Sequence, residues 1–308
     1  MALAADRRAG PDGVLLLDKP AGITSTRAMA RAKRALGSLK AGHTGTLDPF
    51  ATGLLPIVFG EATKFSRFLI DAAKAYEATL RLGERTATGD TESAVIERRA
   101  VECTDADIER VLAAFRGVQD QTPPMHSAVR VDGRRLYDYA RAGEEVARPS
   151  RSIEVAELAR LSRDGDELRV RVACSKGTYV RTLAEDIGEA LGCGAYLTGL
   201  RRIAVAGFRI GDAVGLEALE EEGVERARGR LLVPEVLVDG LDRLDAGHDE
   251  AQRFRNGVAL DSAPGTGPEV AVFGPGAVFL GVGARQPDGR VAPLRLVDTS
   301  GAKFPDFA

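Results

Sequence analysis

The chain has 308 residues, 44% hydrophobic and 28% charged, enough for one sizeable core and a smaller second domain. No apolar run of about 18 residues excludes a membrane-spanning helix, and the opening MALAADRRAGPDG lacks the apolar core of a secretory signal, so the cytoplasm is the expected location. The net charge of −3 does not mark a nucleic-acid binder, and Cys103, Cys174 and Cys193, far apart and without C-x-x-C spacing, argue against disulfides and structural zinc.

The charges are uneven along the chain. Residues 1–70 carry Lys or Arg at 7, 8, 19, 27, 31, 33, 34, 40, 64 and 67 against five acids, whereas 212–225 hold six acids and no base. Such a chain either presents a basic face balanced elsewhere or simply scatters solvated charges.

Val14–Leu17, ended by Pro20 and Gly22, reads as a short buried strand. Thr24 or Ser25 caps a helix with Ala28, Met29, Ala32 and Leu36 on one face and Gly37 beyond its end. The segment GHTGTLDP (42–49) then forms neither a good helix nor a good strand. GLLPIVFG reads as a strand whose Pro56 argues for an edge, a bulge or an end. EATKFSRFL reads as a helix. From Tyr76, alternation puts Tyr76, Ala78, Leu80 and Leu82 on one side of a half-buried strand. Thr104 and Asp107 make a capping box ahead of the stripe Ile108, Val111, Leu112 and Phe115.

Residues 117–150 lose periodicity and read as a long, functional loop around a short helix. Asp164-Gly165 between two alternating runs predicts a hairpin. TYVRTLAEDIGEALG predicts a helix burying Val180, Leu183, Ala184, Ile187 and Leu191. The pattern weakens at 229–247, which sets a domain boundary near 240. Beyond it, Val270–Phe273, Val278–Val282 and Leu294–Val297 predict a small β-rich domain.

Within GHTGTLDP, Pro49 biases Asp48 towards an extended backbone, and Gly42 and Gly45 permit a tight turn or a close approach to a ligand. Asp48 is either held out on a stiff loop or satisfies nearby amides as an Asx turn. There is no Walker loop, no H-E-x-x-H and no G-x-S-x-G, and His43, His126 and His248 are widely separated. A single carboxylate is therefore the candidate nucleophile or general base.

GVLLLDKPAGITS, AGHTGTLDPFATGLLPIVFGEATKF, KAYEATLRLG, SKGTYVRTLAEDIGEALGCGAYLTGLRR and RVAPLRLV, in this order from about 13 to 298, together resemble the TruB family of bacterial tRNA pseudouridine synthases. The resemblance implies an α+β fold: a mixed, largely antiparallel sheet in a catalytic domain (1–240) and a small β-rich, PUA-like RNA-binding domain (241–308). It implies an isomerase that detaches uridine 55 in the T-loop of tRNA, turns the base and rejoins it through carbon 5, with no cofactor and no metal.

Asp48 matches the family's nucleophile and Arg181 the arginine that pairs with it. Tyr76 matches a tyrosine that stacks on the extruded base, Tyr179 and Leu200 match pocket-lining residues, and His43 matches a histidine that wedges into the loop. Without the resemblance, Tyr76 and Leu200 read as core, Arg181 as a surface charge and His43 as a turn histidine. Lys19 and Lys64 fall in matched blocks and are candidates for phosphate contacts, as are Arg130, Arg134 and Arg135 in the loop.

Residues 119–149 match the insertion that closes over the T-loop in stand-alone members. The expected partner is the T-arm of tRNA, with no guide RNA, no obligate protein partner and no membrane. His126, where tyrosine is usual, Arg130, where lysine is common, and Phe50 in place of leucine depart from the pattern. Two other readings compete. A glycosidase acts on the same kind of bond but needs two partnered acids, and an RNA-binding tRNA folding chaperone would not need Asp48.

Overall fold

Alternate apolar residues of the strand Gly13–Lys19 serve two different cores: Leu15 and Leu17 face one cluster, Val14 and Leu16 the other. A strand buried on both faces reads as a continuous apolar run, as GVLLL does. The computed structural model describes residues 11–298 apart from 39, 128, 145 and 262–263; Arg7 and Arg8 lie outside the described residues.

The strand belongs to a 10-stranded mixed sheet. Its main path runs Val214–Gly215, Gly13–Lys19, Thr52–Phe59, Ala195–Val205, Lys74–Leu82, Glu167–Cys174, Arg151–Asp164 and Gly117–Gln121. Neighbours are antiparallel except at Val214–Gly215 with Gly13–Lys19 and at Ala195–Val205 with Thr52–Phe59. The helices Ser25–Ala35, Asp105–Ala114 and Val180–Ala190 contribute buried residues to the first core. A separate 4-stranded sheet, Asp242–Asp245, Glu269–Gly274, Val278–Arg285 and Val291–Leu296, with the helix His248–Arg255, encloses its own apolar cluster. Phe273 and Phe279 also join the second core of the larger sheet. The α+β class and the β-rich C-terminal part are as expected.

Local signals fared well where one element decided them. Thr24 caps the first helix by accepting from the Arg27 amide, and Thr104 with Asp107 forms the capping box. Three expectations need correction. EATKFSRFL is not one helix: a 3-10 turn, Gly60–Phe65, precedes the short helix Arg67–Ile70. The 117–150 segment holds the expected short helix, Leu136–Arg141, but also a sheet strand, Gly117–Gln121, and a small hairpin of Arg130–Val131 with Arg134–Arg135.

Pro56 is neither at an edge nor at a strand end. It pairs with Leu16 on one side. On the other side Arg201 and Arg202 partner Thr52 and Gly53 while Ala41–His43 partners Ile57–Phe59. Pro56 falls in the gap between these partners, where no strand requires its missing N–H, and its carbonyl accepts from the Thr44 amide.

Candidate active site

Four attachments hold the Asp48 loop in place. Ser25 Oγ donates to the Leu47 carbonyl and accepts from the Leu47 amide, at 3.0 and 2.8 Å. The Gly22 amide donates to the Pro49 carbonyl at 2.8 Å. Arg202 Nη2 donates to the Gly45 carbonyl at 3.1 Å. Lys19 Nζ donates to the carbonyls of Ile23 and Pro20 at 2.7 and 2.9 Å and reaches that of Pro49 at 3.4 Å. The loop is thus rigid for tertiary reasons as well as through its own proline.

Asp48 opens onto a cleft of about 580 Å³ whose walls include Tyr76, Asp90, Tyr179, Arg181, Leu200 and Arg202. Arg181, on the first turn of the helix Val180–Ala190, is only 5% exposed. Its Nε meets Asp48 Oδ2 at 3.1 Å and its Nη1 meets Asp90 Oδ2 at 3.4 Å. Nη1 and Nη2 also donate to the carbonyls of Thr88 and His126, at 2.9 and 2.8 Å. The planar fork therefore joins two carboxylates and two main-chain segments, an arrangement a lysine cannot reproduce.

Burial pushes the Asp48 carboxyl above the usual carboxylate range; Arg181 draws it back and Asp90 raises it further. A partly desolvated carboxylate beside a buried guanidinium is suited to nucleophilic or basic chemistry.

The strand Lys74–Leu82 carries Tyr76 and the adjoining strand carries Leu200. Burial raises the Tyr76 phenol, which keeps it protonated at neutral pH. Tyr179 precedes the Arg181 helix, its main chain clamped by both ends of the Gln121 amide at 2.7 and 3.1 Å. Asp48, Tyr76, Tyr179, Arg181 and Leu200 thus share one cleft.

The other sequence candidates lie elsewhere. His43 pairs with Ile57 in a short strand and is absent from the cleft walls. Its buried Nδ1 has no hydrogen-bond partner among the described residues. Lys19 must be corrected as a phosphate contact: it is 0% exposed, its ammonium is turned onto main-chain carbonyls, and burial lowers it to about 8. Lys64 binds Glu61 and the Leu296 carbonyl. Arg130 is exposed and donates to the Gly133 carbonyl. Arg134 pairs with Glu144 at 3.1 Å and stacks on Tyr139. The Arg135 side chain lies outside the described residues, though its backbone belongs to the hairpin.

Sequence reasoning missed Asp90, Lys74 and Arg202. Asp90 sits in a Gly-Asp turn and, at 1% exposure, has no local mark of burial. Lys74 donates to the carbonyls of Leu69, Ile70 and Ala72, and burial lowers it to about 8. Arg202 did carry a signal: in a strand with Leu200 facing inward, the period of 2 turns Arg202 inward as well. The insertion reaches the site too, since His126, Ser127 and Tyr137 line the cleft.

Comparison with known proteins gives the same picture over most of the chain. Residues 33–180 match the TruB family pseudouridylate synthase N-terminal domain, 181–237 the tRNA pseudouridylate synthase B C-terminal domain, and 247–297 the pseudouridine synthase II TruB C-terminal domain. A protein of Aromatoleum aromaticum named tRNA pseudouridine synthase B is 50% identical over 94% of this chain and 93% of its own length. One of the same name from Burkholderia lata is 51% identical over 94% and 91%. A chain in the crystal structure of a Cbf5-Nop10-Gar1 complex superimposes with a TM-score of 0.71 at 25% identity, covering 93% of this chain and 85% of that one.

Proposed function

Because the chain belongs to the TruB family of pseudouridylate synthases, we propose that it converts uridine 55 in the T-loop of tRNA to pseudouridine, with Asp48 as the nucleophile. The observation that carries this reading is the Asp48 carboxylate paired at 3.1 Å with the buried Arg181 in a cleft of about 580 Å³. That cleft is large enough for a nucleobase swung out of its stack.

The reaction exchanges the N1–C1′ bond for a C5–C1′ bond. The C5 proton leaves, N1 gains one, and no electrons enter or depart, so the chemistry consumes no cofactor. Asp48 supplies the electron pair, and Arg181 keeps it ionised when the incoming base expels water. Tyr76 offers a ring face to the base, with Leu200 and Tyr179 completing the walls. Thr88, His126 and Thr178 add polar groups to the lining of the same cleft.

Residues 119–149 act as the clamp on the T-arm. The bond from Arg181 to the His126 carbonyl supports this, because it ties clamp position directly to the group that holds Asp48. The part beyond about residue 240 serves as a PUA-like RNA-binding domain, and His43 inserts into the loop that the base vacates. The protein works without a guide RNA or a partner protein.

The test is incubation with unmodified tRNA, followed by digestion and detection of pseudouridine at position 55. Wild type forms it stoichiometrically. Asp48→Asn forms none while still binding tRNA. Near-normal turnover by Asp48→Asn refutes the nucleophile, and pseudouridine at another position refutes the site.

A further inference from the structure

His126, Ser127 and Tyr137 bring the insertion to the wall of the cleft that holds Asp48. Tyr137 is the second residue of the helix Leu136–Arg141. The Leu136 side chain is buried and its amide donates to the Val129 carbonyl at 2.8 Å, while the Tyr137 amide donates to the Ser127 carbonyl at 3.1 Å. The helix is thereby fixed to the segment that carries His126 and Ser127. Successive helical positions lie about 100° apart, so an inward Leu136 turns Tyr137 to another face. Tyr137 keeps 41% exposure, and it alone among the described tyrosines and phenylalanines is more than a third exposed.

Arg141, one helical turn on, stands with its guanidinium carbon 4.8 Å from the Tyr137 ring centroid. His126 meets the same ring in an edge-to-face arrangement, the centroids 6.2 Å apart at 71°. Ser127 is only 7% exposed, and its buried Oγ has no hydrogen-bond partner among the described residues. A buried hydroxyl left unpaired costs free energy, and native structures seldom leave one so. It turns about a single bond, so a polar group entering the cleft can supply the partner.

We infer that Tyr137 is a substrate-binding residue whose ring stacks on the nucleobase next to the target uridine, with the Ser127 hydroxyl bonded to the polar edge of that base. The inference rests on the tRNA-modifying reading of this cleft.

The target base has its own ring, Tyr76, on the sheet. The cleft of about 580 Å³ holds more than one pyrimidine ring fills, and a nucleotide drawn towards Asp48 brings its covalent neighbour after it. Exposed aromatic faces that hold single-stranded bases bind any base, because each presents a flat π surface. The Arg141 guanidinium does not block this role. An exposed cation–π contact is weaker than a base stacked on an aromatic ring, so the base displaces the guanidinium, which stays beside it as a counter-charge for the phosphate.

The experiment uses the full chain and tRNA carrying 2-aminopurine immediately 5′ or 3′ of the target uridine, a probe whose fluorescence is quenched by stacking. At saturating protein, the Tyr137→Leu complex is expected to be brighter than the wild-type complex by roughly twofold or more at one of the two positions, with Tyr137→Phe matching wild type. Tyr137→Leu is expected to weaken affinity for unlabelled tRNA roughly 5- to 150-fold. Its single-turnover rate at saturation is expected to stay within roughly threefold of wild type, because the ring touches the neighbour and not the reacting base.

A merely structural Tyr137 gives a different result. Its loss would loosen the His126 carbonyl from Arg181 and slow the chemical step together with binding, without a selective rise at either probe position. Ser127→Ala removes a hydroxyl that has no partner to lose, so its melting temperature is expected to match or exceed wild type while tRNA binding weakens. Should Tyr137→Leu not fold, Tyr137→Met carries the same measurements. Equal brightness at both probe positions, wild-type affinity in the Leu variant, a chemical step slowed as much as binding, or a Ser127→Ala chain that melts lower with unchanged affinity overturns the inference. A wild-type chain that shows the quenching but forms no pseudouridine refutes the proposed function alone, which separates the two failures.

Discussion

Replacing Arg181 by lysine keeps a positive charge but removes the fork that meets Asp48, Asp90 and two carbonyls together. The lost Nε bond to Asp48 is a charge-assisted hydrogen bond, worth roughly 1.5–3 kcal/mol. Coulomb's law gives the same order. Unit charges separated by 3.1 Å at an effective dielectric constant of about 20 attract by about 5 kcal/mol. The Asp48 side chain is 35% exposed, and solvent screening brings this to about 2–3 kcal/mol.

Since about 1.4 kcal/mol is tenfold in rate, Arg181→Lys is expected to slow single-turnover isomerisation roughly 10- to 150-fold while leaving tRNA affinity within a few-fold. The pH profile adds a sign. Asp48 acts as the carboxylate, and activity falls as pH drops through its pKa. Arg181 draws that pKa down against burial, so weakening the pair moves the acid limb to higher pH. The assay is release of tritium from 5-tritiated uridine in tRNA, with enzyme in excess, across pH. A variant within twofold of wild type with an unmoved acid limb refutes the idea that Arg181 serves Asp48.

Further outcomes concern binding, stability and cofactors. Reversing the charges of Arg130, Arg134 and Arg135 together is expected to weaken tRNA binding and flatten the dependence of log affinity on log salt by roughly 0.7–0.9 per lost phosphate contact; an unchanged slope excludes the hairpin from the interface. Burial raises Glu185 to about 6 from 4.5. Its ionised form therefore opposes folding above pH 6, and the penalty vanishes below about pH 4.5. Glu185→Gln is expected to stabilise the protein at pH 8 by up to about 2 kcal/mol, with no difference at pH 4, as read by denaturant melts at both pH values. Activity is expected to survive chelation; loss in EDTA reversed by one specific transition metal, and not by magnesium, would contradict a metal-free mechanism.

What was legible in the sequence is what neighbours along the chain decide. Thr24 and Thr104 cap helices because their hydroxyls reach amides in the first turn. Asp164-Gly165 turns a hairpin whose strands pair from Asp164 with Glu167 onward. Alternation puts Ala78, Leu80 and Leu82 in the core. Asp48 stood out because a carboxylate before proline, in a segment unfit for helix or strand, has a constrained local backbone, and the matched blocks singled out Arg181.

Tertiary structure alone decided the environments. Lys19 reads in the sequence as a candidate phosphate contact and Arg202 is not singled out there, yet both are buried with main-chain carbonyls on their donors, near in sequence for Lys19 and remote for Arg202; the Arg202–Gly45 bond spans 157 residues of sequence. Asp90 is a turn residue until Arg181, on another element, meets it. Pro56 is tolerated inside the sheet only because two partner strands end on either side of it. Helix caps and alternation act over a few residues and can be read there. Burial, and with it the pKa of every group in the cleft, is set by which remote segments displace water from that side chain, and only the assembled sheet determines that.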